Sequence, residues 1–576
     1  MSMRNLTGHF NTKATPQSEA IPGREAEMKP NSAGGVTFTV DKWSRLQRFL
    51  ILGSDGGTYY ISEKKLTQEN ATVVLDCLAE DGKRVVDLIS VISDEGRAPK
   101  NTPALFALAL ACKLGNEETK ALAYKALPKV ARTGTHLFEW TEAIKAFGGH
   151  SHGWQRAVKR WYIDRRPGDM ALQIVKYQSR NGWSHRDVLR LAKPSGFEKE
   201  SEVGRIFGWA VGKWAPGEVA LGDATDLIWA FEKAKAIGLS GDGKVTKDGT
   251  KAIVNLITDF RLPREAIPTH YLNEVDVWAA LLDNGGYGMP MTAMIRNLPK
   301  MTAIGLLQQT GDATKRVVDA LGNEDALRKA RVHPLSVLVA MRTYASGHGV
   351  LGSLSWTAVR KIVDGLDGAF YKSFKAIEPT NKRWMLALDV SGSMSAGIAG
   401  MPGINCREVS AAMAMVTAAS ESESHIIGFT SAGTGHFHTG GKNQWSGTAY
   451  GGSSHGVSEI DISPRRRLDD NVKAISGLPF GGTDCSLPMI YARERGIKTD
   501  VFVVYTDSET WAGNIAPRQA LAEYRNKMGI DAKLIVVGMA ANGFTIADPK
   551  DKGMLDVVGM DTSVPAIMSQ FALGNV

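Results

Sequence analysis

The chain has 576 residues, of which 43% are apolar and 22% are charged, as is typical of a globular protein of about two to four domains. No stretch approaches the roughly 18 uncharged apolar residues of a membrane-spanning helix. The polar N-terminus also lacks the apolar segment of a signal peptide, so we expect a cytoplasmic protein without a membrane partner. The four cysteines are far apart in sequence, which argues against a disulfide framework or a structural zinc site.

Positive charge is concentrated in the first two-thirds of the chain. Residues 1–375 hold 51 Lys and Arg against 40 Asp and Glu, a net charge of +11. Residues 376–576 hold 17 against 20, a net charge of −3. The basic part therefore predicts a polyanionic partner such as nucleic acid, and the remainder does not.

Residues 1–35 are polar and are expected to form a mobile or loosely docked arm. From residue 36 to residue 377, apolar residues recur at three- and four-residue spacing, and glycine or proline interrupts the pattern. The first predicted helices cover 62–80, 82–93, 101–114 and 116–132. More than about fifteen short helices joined by tight turns indicate a stacked array of degenerate helical repeats.

The pattern changes near residue 378, where short apolar runs begin to alternate with helical stretches. The predicted strands cover 384–388, 425–429, 500–506 and 532–538, and the predicted helices cover 407–420, 464–476, 486–496 and 517–528. Such alternation is typical of a parallel sheet with helices on both faces. We therefore predict an α-helical repeat domain at 36–377 and an α/β domain at 378–576.

Two of the predicted strands end at an aspartate. Asp389 ends the first strand and is followed by Ser391 and Ser393, Asp507 follows the third strand, and a glycine loop before that strand presents Thr483. Open α/β sheets bind ligands at the carboxyl ends of their strands, so we expect these five side chains to converge. Two carboxylates and three hydroxyls are hard oxygen donors that suit Mg²⁺.

The same segments have alternative explanations. Asp389 is also suited to capping the next helix and Asp507 to an Asx-turn, but the agreement of three segments in order favours the metal site. Cys485 is interpreted as a buried reduced thiol rather than a nucleophile, because no histidine lies near it in sequence. The Gly-, Ser- and His-rich stretch 431–463 has the length of a functional loop. Its histidines, at positions 436, 438 and 455, lack acidic or cysteine companions at ligand spacing, so they are not expected to bind metal.

The densest positive region is 151–200, with eleven Lys and Arg against five Asp and Glu. Lys176 and Arg180, four residues apart in a predicted helix 170–180, are expected to share one face. Clustered cations neutralise phosphates, and the interleaved tryptophans are more simply explained as core than as base-stacking residues. The residues predicted to contact RNA are Arg156, Lys159, Lys176, Arg180, His185, Arg186 and Arg190.

A second set of basic residues lies in the later helices. Together these residues would suit a concave inner surface that contacts RNA, whereas individually they would form salt bridges. The set comprises Arg296, Lys300, Arg331, His333, Arg342 and His348.

Several short motifs resemble those of the Ro ribonucleoproteins, the TROVE-domain RNA-binding proteins. They are KYQSRNGWSH at 176–185, LPREA at 262–266, MIRNL at 294–298, ARVHP at 330–334, TYASGHG at 343–349, GGTDCSLPMI at 481–490 and NGFTIADP at 542–549. The Asp389 motif with Thr483 and Asp507 likewise resembles the metal-ion-dependent adhesion site of von Willebrand factor A domains. The resemblance covers roughly residues 40–575; the N-terminal arm is not covered, and the stretch 431–463 departs from the family pattern.

The resemblance implies a fold and a function. Ro-like proteins are rings of HEAT-like helical repeats closed by a von Willebrand factor A domain. Small structured Y RNAs bind the outer basic face, in the region that Lys176, Arg180, His185 and Arg186 match, and single-stranded 3′ ends of misfolded RNAs enter the central hole. In bacterial relatives, a Y RNA can tether the ring to an exoribonuclease such as polynucleotide phosphorylase. A monomeric, non-catalytic RNA scaffold is the expectation.

Two other classes of function remain open. An adhesion-type module would capture a protein partner through the metal, with the basic helices as a solvated face. A metal-dependent hydrolase would use Asp389 as nucleophile or Asp507 as base, although no histidine lies close to either in sequence. Salt-dependent RNA binding distinguishes the first alternative, and turnover of RNA or phosphate esters distinguishes the second.

Overall fold

The computed structural model describes residues 14–53, 66–195, 198, 200–213, 225–349, 352–374, 378–398, 401–431, 456–460, 462–476, 481–540 and 542–575. The predicted helix start at residue 62 and the histidines at 436, 438 and 455 lie outside these residues. Within them, no helix is both long and apolar enough to cross a membrane.

The first domain is built from helices. In chain order they are α1 (Lys42–Leu52), α2 (Leu66–Glu95), α3 (Thr102–Leu114), α4 (Glu117–Val130), α5 (Gly134–Ala146), α6 (His152–Ile163), α7 (Pro167–Tyr177), α8 (His185–Ala192), α9 (Glu202–Ala210), α10 (Asp226–Ala236), α11 (Lys247–Phe260), α12 (Val275–Asp283), α13 (Met291–Ala303), α14 (Asp312–Gly322), α15 (Glu324–Lys329), α16 (Pro334–Ser346) and α17 (Arg360–Lys372). Within α2, Asp81 has a non-helical backbone (φ −150°, ψ 86°). The break predicted between residues 80 and 82 is therefore present as a kink.

The two ends of the helical array meet. Arg331, before α16, pairs with Asp94 of α2 at 2.8 Å. The imidazole Nε2 of His333 lies 3.2 Å from the carbonyl oxygen of Arg97 and 2.9 Å from that of Met560 in the second domain. Arg97 also pairs with Asp561 at 2.5 Å. Both ends of the array thus contact each other and the second domain, which closes the predicted ring.

The second domain is an α/β unit with a largely parallel sheet. Its strands are β5 (Arg383–Asp389), β6 (Gly397–Ile398), β7 (Met401–Asn405), β8 (Glu423–Phe429), β9 (Val457–Glu459), β10 (Val501–Thr506), β11 (Lys533–Gly538), β12 (Phe544–Thr545) and β13 (Met554–Val558), and its helices are α18 (Cys406–Ser420), α19 (Leu468–Ser476), α20 (Leu487–Arg495), α21 (Pro517–Met528) and α22 (Val564–Leu573). The main sheet has the order β13–β11–β10–β5–β8–β9, in which only β9 is antiparallel to its neighbour. All four predicted strands are present, whereas β9 and β13 were not predicted.

The central strands β5 and β10 are buried on both faces because they are almost entirely apolar. Successive side chains of a strand point to opposite faces. Trp384, Leu386 and Leu388 belong to the core that continues into the helical domain, while Met385 and Ala387 belong to a separate core on the other face. The central strands are thereby fixed in position, and so are the loops at their carboxyl ends.

The N-terminal arm differs from the prediction of a mobile or loosely docked segment. Strands β1 (Met28–Pro30) and β2 (Val36–Thr39) pair antiparallel, and β2 also pairs with β12 of the second domain. Ile21 and Phe38 are buried against Ala516. Residues 14–39 are therefore an integral part of the α/β domain, because apolar residues within the polar stretch find partners that are remote in sequence.

Candidate metal centre and RNA-binding surface

The Asp-x-Ser-x-Ser loop begins where the central strand β5 ends. Its first residue, Asp389, is the last residue of β5, which lies between β8 and β10. The amide of Ser391 donates to Asp389 Oδ1 at 2.9 Å, and the Thr506 hydroxyl donates to Oδ2 at 2.6 Å. The hydroxyl oxygens of Ser391 and Ser393 lie 3.2 Å apart. One contact from its own loop and one from the neighbouring strand β10 thus fix the orientation of this carboxylate.

Asp507, the first residue after β10, has one unsatisfied oxygen. Its Oδ1 accepts a hydrogen bond from the Glu509 amide at 3.0 Å, whereas its buried Oδ2 has no partner in the described part of the chain. Burial raises the pKa of Asp507 to about 7, and the charge of Asp389 acts in the same direction, while Ser393 opposes both. Burial likewise raises the pKa of Asp389. A divalent cation between the two carboxylates would offset both penalties.

Thr483 lies in the glycine loop before α20, and backbone hydrogen bonds attach this loop to both aspartate loops. The amides of Trp511 and Ala512 donate to the Thr483 carbonyl at 3.1 and 3.0 Å. The amide of Gly392 donates to the carbonyl of Gly481 at 3.5 Å. The three segments predicted to converge are therefore adjacent at one end of the sheet.

The donor set fits a hard cation. None of the five side chains is more than 7% exposed. No group of three or more His, Cys, Asp or Glu side chains suited to a metal occurs within the described ranges, so the site depends on hydroxyl oxygens as well as carboxylates. Two carboxylates with neutral oxygen donors suit Mg²⁺.

Arg407 is a residue of this site that sequence reasoning missed. Its Nη2 donates to the carbonyls of Val390 and Ser391 at 2.9 and 3.2 Å, so α18 holds the backbone of the Asp-x-Ser-x-Ser loop. Burial lowers the pKa of Arg407, and the nearby Asp389 opposes that effect. Nothing in the sequence of the predicted helix 407–420 distinguishes this residue from a solvated arginine.

The N-terminal arm also contacts the metal loops. The amide Nε2 of Gln17 donates to Asp484 Oδ1 at 2.7 Å and to the Ile515 carbonyl at 2.9 Å, and the Thr510 hydroxyl donates to Gln17 Oε1. Asn31 Nδ2 donates to the Thr510 carbonyl at 2.7 Å. One side chain thus joins the loop of Thr483 to that of Asp507. No sequence signal points to it, since Gln17 and Asp484 are 467 positions apart.

Cys485 is a buried reduced thiol, as predicted. It is fully buried, and burial raises its pKa well above the ordinary value, so the reactive thiolate is strongly disfavoured. Its Sγ lies 3.6 Å from the Thr506 hydroxyl oxygen. The geometry therefore argues against the nucleophile alternative.

The basic surface is formed by α6, α7, α8 and the turn before α8. Helices α6 and α8 pack against each other, and Gln155 Nε2 of α6 donates to the Leu191 carbonyl at 3.4 Å. Six of the seven predicted contact residues point at least partly to solvent, and none of the six forms an ion pair with the described residues: Arg156, Lys159, Lys176, Arg180, Arg186 and Arg190. Their charges are therefore available to phosphates.

The turn before α8 corrects the predicted helix 170–180. Helix α7 ends at Tyr177, and β3 (Ser179–Arg180) pairs antiparallel with β4 (Trp183–Ser184). Asn181 and Gly182 have φ values of 54° and 77°, as in the type I′ turn that Asn-Gly favours. Lys176 and Arg180 therefore do not share a helical face. The Asn-Gly pair that favours this hairpin directly follows the predicted helix 170–180 in the sequence.

His185 is a core residue, which contradicts its predicted contact with RNA. Its side chain is 2% exposed, and Nδ1 lies 2.7 Å from the Tyr162 hydroxyl oxygen. Burial lowers its pKa to about 3, and Arg165 acts in the same direction. The imidazole also packs edge-to-face on Phe138. As the first residue of α8, it points inward, whereas the next residue, Arg186, points to solvent.

The residues of the second basic set lie in different environments in the structure. His333 is buried at the ring closure, which contradicts its predicted RNA contact. Arg331 and Arg342 form salt bridges with Asp94 and Glu408, the alternative that the sequence left open. For the other three, Arg296 is exposed, Lys300 Nζ donates to Asn273 Oδ1 at 2.7 Å, and His348 forms a β-bridge with Ser355.

Arg296 lies near the first basic set. Burial raises the pKa of Tyr177, and Arg296 and Arg180 both lower it. Both guanidinium groups are thus within electrostatic range of the same phenol. Arg180 is predicted to lie on an outer surface and Arg296 on an inner one. In the structure, both residues approach Tyr177.

Comparisons with known proteins agree with this architecture. Residues 29–218 and 261–344 match the TROVE domain family, and residues 383–572 match the Ro60 vWA domain family. The chain is 36% identical to the RNA-binding protein RO60 of Deinococcus radiodurans, over all of both chains. It is 34% identical to the RNA-binding protein RO60 of Caenorhabditis elegans, over 97% of this chain and 92% of that protein.

A solved structure gives the same result at the level of the fold. The crystal structure of the Deinococcus radiodurans RO (RSR) protein superposes with a TM-score of 0.65 at 35% identity, covering 93% of this chain and 100% of that one. The helical ring, the α/β domain that closes it and the matches to both families lead to one assignment. The chain belongs to the Ro60 family of RNA-binding proteins.

Proposed function

We propose that this protein is a non-catalytic scaffold that holds a small structured, Y-type RNA on the surface formed by α6, α7, α8 and the turn before α8. The observation that carries the proposal is the set of six solvent-facing cations that form no ion pair with the described residues. Double-stranded RNA is bound mainly through phosphates and shape, since its deep groove excludes side chains. The cations of α6, α7, α8 and the hairpin before α8 form no ion pair with the described residues and can supply such contacts.

We extend the proposal to the ring and to partners. Single-stranded 3′ ends of misfolded RNAs would enter the ring, where only a strand with a free end can thread. The scaffold would present such RNAs to an exoribonuclease such as polynucleotide phosphorylase, as a monomer in the cytoplasm. The family supports RNA binding; these finer roles are supported only by the closed ring and the cations on its surface.

We further propose that Asp389, Ser391, Ser393, Thr483 and Asp507 hold Mg²⁺. The bound ion would supply a positive charge that compensates two buried carboxylates. Because none of the donors is more than 7% exposed, the arrangement favours an ion that fastens the loops together. The same burial disfavours a hydrolase, since Asp389 has both oxygens engaged and little access to a substrate.

A variant pair tests the RNA surface. Lys176→Ala combined with Arg180→Ala should weaken binding of a structured RNA hairpin about tenfold or more at low salt, and should lower the slope of log affinity against log salt by about 2. The matched control is Lys315→Ala with Lys361→Ala, which removes two exposed lysines from α14 and α17. Equal affinities for the two variants would place the RNA elsewhere, and a wild-type slope near zero would favour a protein-binding module.

One observation favours the second candidate function, a module that captures a protein partner. Trp511 is 45% exposed and lies beside the metal loop, where a Cβ at Gly482 would be 2.8 Å from its Cζ2 atom. An exposed tryptophan at the edge of a metal site is suited to contact with a protein partner. Trp511→Ala would then abolish capture of that partner while leaving RNA affinity unchanged.

A further inference from the structure

Tyr287 has the largest exposed fraction of any large hydrophobic side chain among the described residues, at 70%. It lies in the loop between α12 and α13, far in sequence from the basic surface of α6–α8. Packing between the helices does not explain an aromatic residue at this position, because so little of the Tyr287 side chain is buried. Its placement therefore invites a functional explanation.

The loop that carries Tyr287 is rigid. Asn284, Gly285, Gly286 and Gly288 all have positive φ values, of 49°, 64°, 84° and 76°. The amides of Gly286 and Gly288 donate to the carbonyl of Asp283 at 3.1 and 2.8 Å. A Cβ at Gly285 would lie 2.6 Å from the Thr258 carbonyl oxygen, so the loop rests directly on the end of α11. These contacts hold the backbone of the loop against α11.

The guanidinium of Arg261 covers one face of the Tyr287 side chain. Arg261 caps α11 in the left-handed conformation (φ 56°), and its guanidinium carbon lies 3.5 Å from the centroid of the Tyr287 ring. Arg261 is itself exposed. A ring with a guanidinium on one face and 70% exposure presents its other face to solvent. Two consecutive helix ends thus hold an aromatic platform with a cation behind it.

Further aromatic and cationic groups precede this pair along the chain. Lys233 Nζ lies 5.4 Å from the ring centroid of Trp229, and the rings of Trp229 and Phe260 are 5.4 Å apart. Phe260 is the residue before Arg261. Alternating cations and half-buried rings on α10 and α11 are characteristic of surfaces that bind single-stranded nucleic acid.

We propose that Tyr287, backed by Arg261, is a stacking site for an unpaired nucleobase of RNA. The proposal rests on the RNA-binding function proposed above and adds a site for single-stranded segments. Every base has a π-face, so such a site tolerates any sequence, and the rigid loop limits the entropy that binding would cost. The guanidinium of Arg261, on the opposite face of the phenol, adds a positive charge at the same site.

The test compares an oligoadenosine of about ten nucleotides with the same backbone carrying abasic sugars, using fluorescence anisotropy. Tyr287→Ala should lose about 5- to 100-fold in affinity for the oligoadenosine and should no longer prefer it to the abasic strand. Tyr287→Phe keeps the π-face and should bind like the wild type. Trp511→Ala, which removes an exposed aromatic from the other domain, is the matched control and should have no effect.

Unchanged affinity of Tyr287→Ala, or an unchanged preference for the oligoadenosine, would overturn the stacking site and favour a protein contact at this loop. Failure of the oligoadenosine to bind the wild type would also overturn it. A structured hairpin measured in the same assay separates this failure from failure of the proposed function. Hairpin binding that depends on Lys176 and Arg180 would leave that function standing.

Discussion

The loops of the candidate metal site and the basic surface of α6–α8 use charged residues in opposite ways. At the end of the sheet, Asp389 and Asp507 are buried and accept hydrogen bonds from the Thr506 hydroxyl of β10 and from neighbouring loop amides. On the helices, Arg156 and Arg186 are exposed and form no ion pair with the described residues. A buried charge must be compensated locally, so each change there is costly, whereas an exposed cation contributes a small, salt-dependent increment.

The largest expected effect is the loss of a metal carboxylate. Asp389→Asn keeps the shape of the side chain but removes its charge, so Mg²⁺ affinity measured by calorimetry should fall at least about 100-fold, roughly 3 kcal/mol. Affinity for a structured RNA should not change, because the basic surface lies on the other domain. A parallel fall in RNA affinity would show that the candidate metal site and the basic surface are coupled and do not act independently.

The sequence was most informative where a function depends on local spacing. Asp389, Ser391 and Ser393 are two residues apart at a strand end, so their convergence follows from the strand itself, and the structure brings Thr483 and Asp507 beside them. The contributions of Gln17 and Arg407 were not predictable, because their partners become neighbours only through the tertiary fold.

On the basic surface, composition identified the region but not the direction of each side chain. His185 and Arg186 are both predicted to contact RNA, yet one points into the core and the other into solvent. A helix that begins at His185 separates their directions by about 100°. The position of each residue relative to the helix start therefore decides which of the two can contact RNA.

The second prediction concerns this buried histidine and pH. The folded protein holds the pKa of His185 at about 3, well below its ordinary value of 6.5, because burial disfavours the imidazolium and Arg165 adds repulsion. Stability from this group is present above pH 6.5 and is lost as the pH falls, since only the unfolded chain takes up the proton there. Between pH 7 and pH 5 the loss should be about 2 kcal/mol.

Urea denaturation of the wild type and of His185→Gln at pH 7 and pH 5 measures this loss. Glutamine cannot be protonated, so the variant should be less stable at pH 7 but should lose about 2 kcal/mol less than the wild type on acidification. Its RNA affinity at pH 7 should match that of the wild type. An equal pH dependence of the unfolding free energy in the two proteins would mean that His185 is solvated. His185 and Arg186 would then not differ in burial as described.

The third prediction tests whether the arm belongs to the metal site. Gln17→Ala removes three side-chain hydrogen bonds that connect the arm to the Thr483 and Asp507 loops, so Mg²⁺ affinity should fall about tenfold, an effect comparable to loss of an outer-shell contact in other metal sites. By linkage, Mg²⁺ should protect the arm of the wild type from proteolysis. Glu19→Ala, at an exposed arm position, is the control. An unchanged Mg²⁺ affinity would restrict the arm to a packing role.

The smallest expected effect belongs to a single surface cation. Arg186→Ala should weaken structured RNA by less than about 1 kcal/mol and lower the salt slope by about 1, with no change in unfolding free energy, because its guanidinium makes no ion pair with the described residues. The adjacent His185→Gln should do the reverse and reduce stability but not RNA affinity. Together the two variants separate surface from core at neighbouring positions. A stability loss in Arg186→Ala would show that this side chain packs in solution, and the basic surface would then lose one of its six contacts.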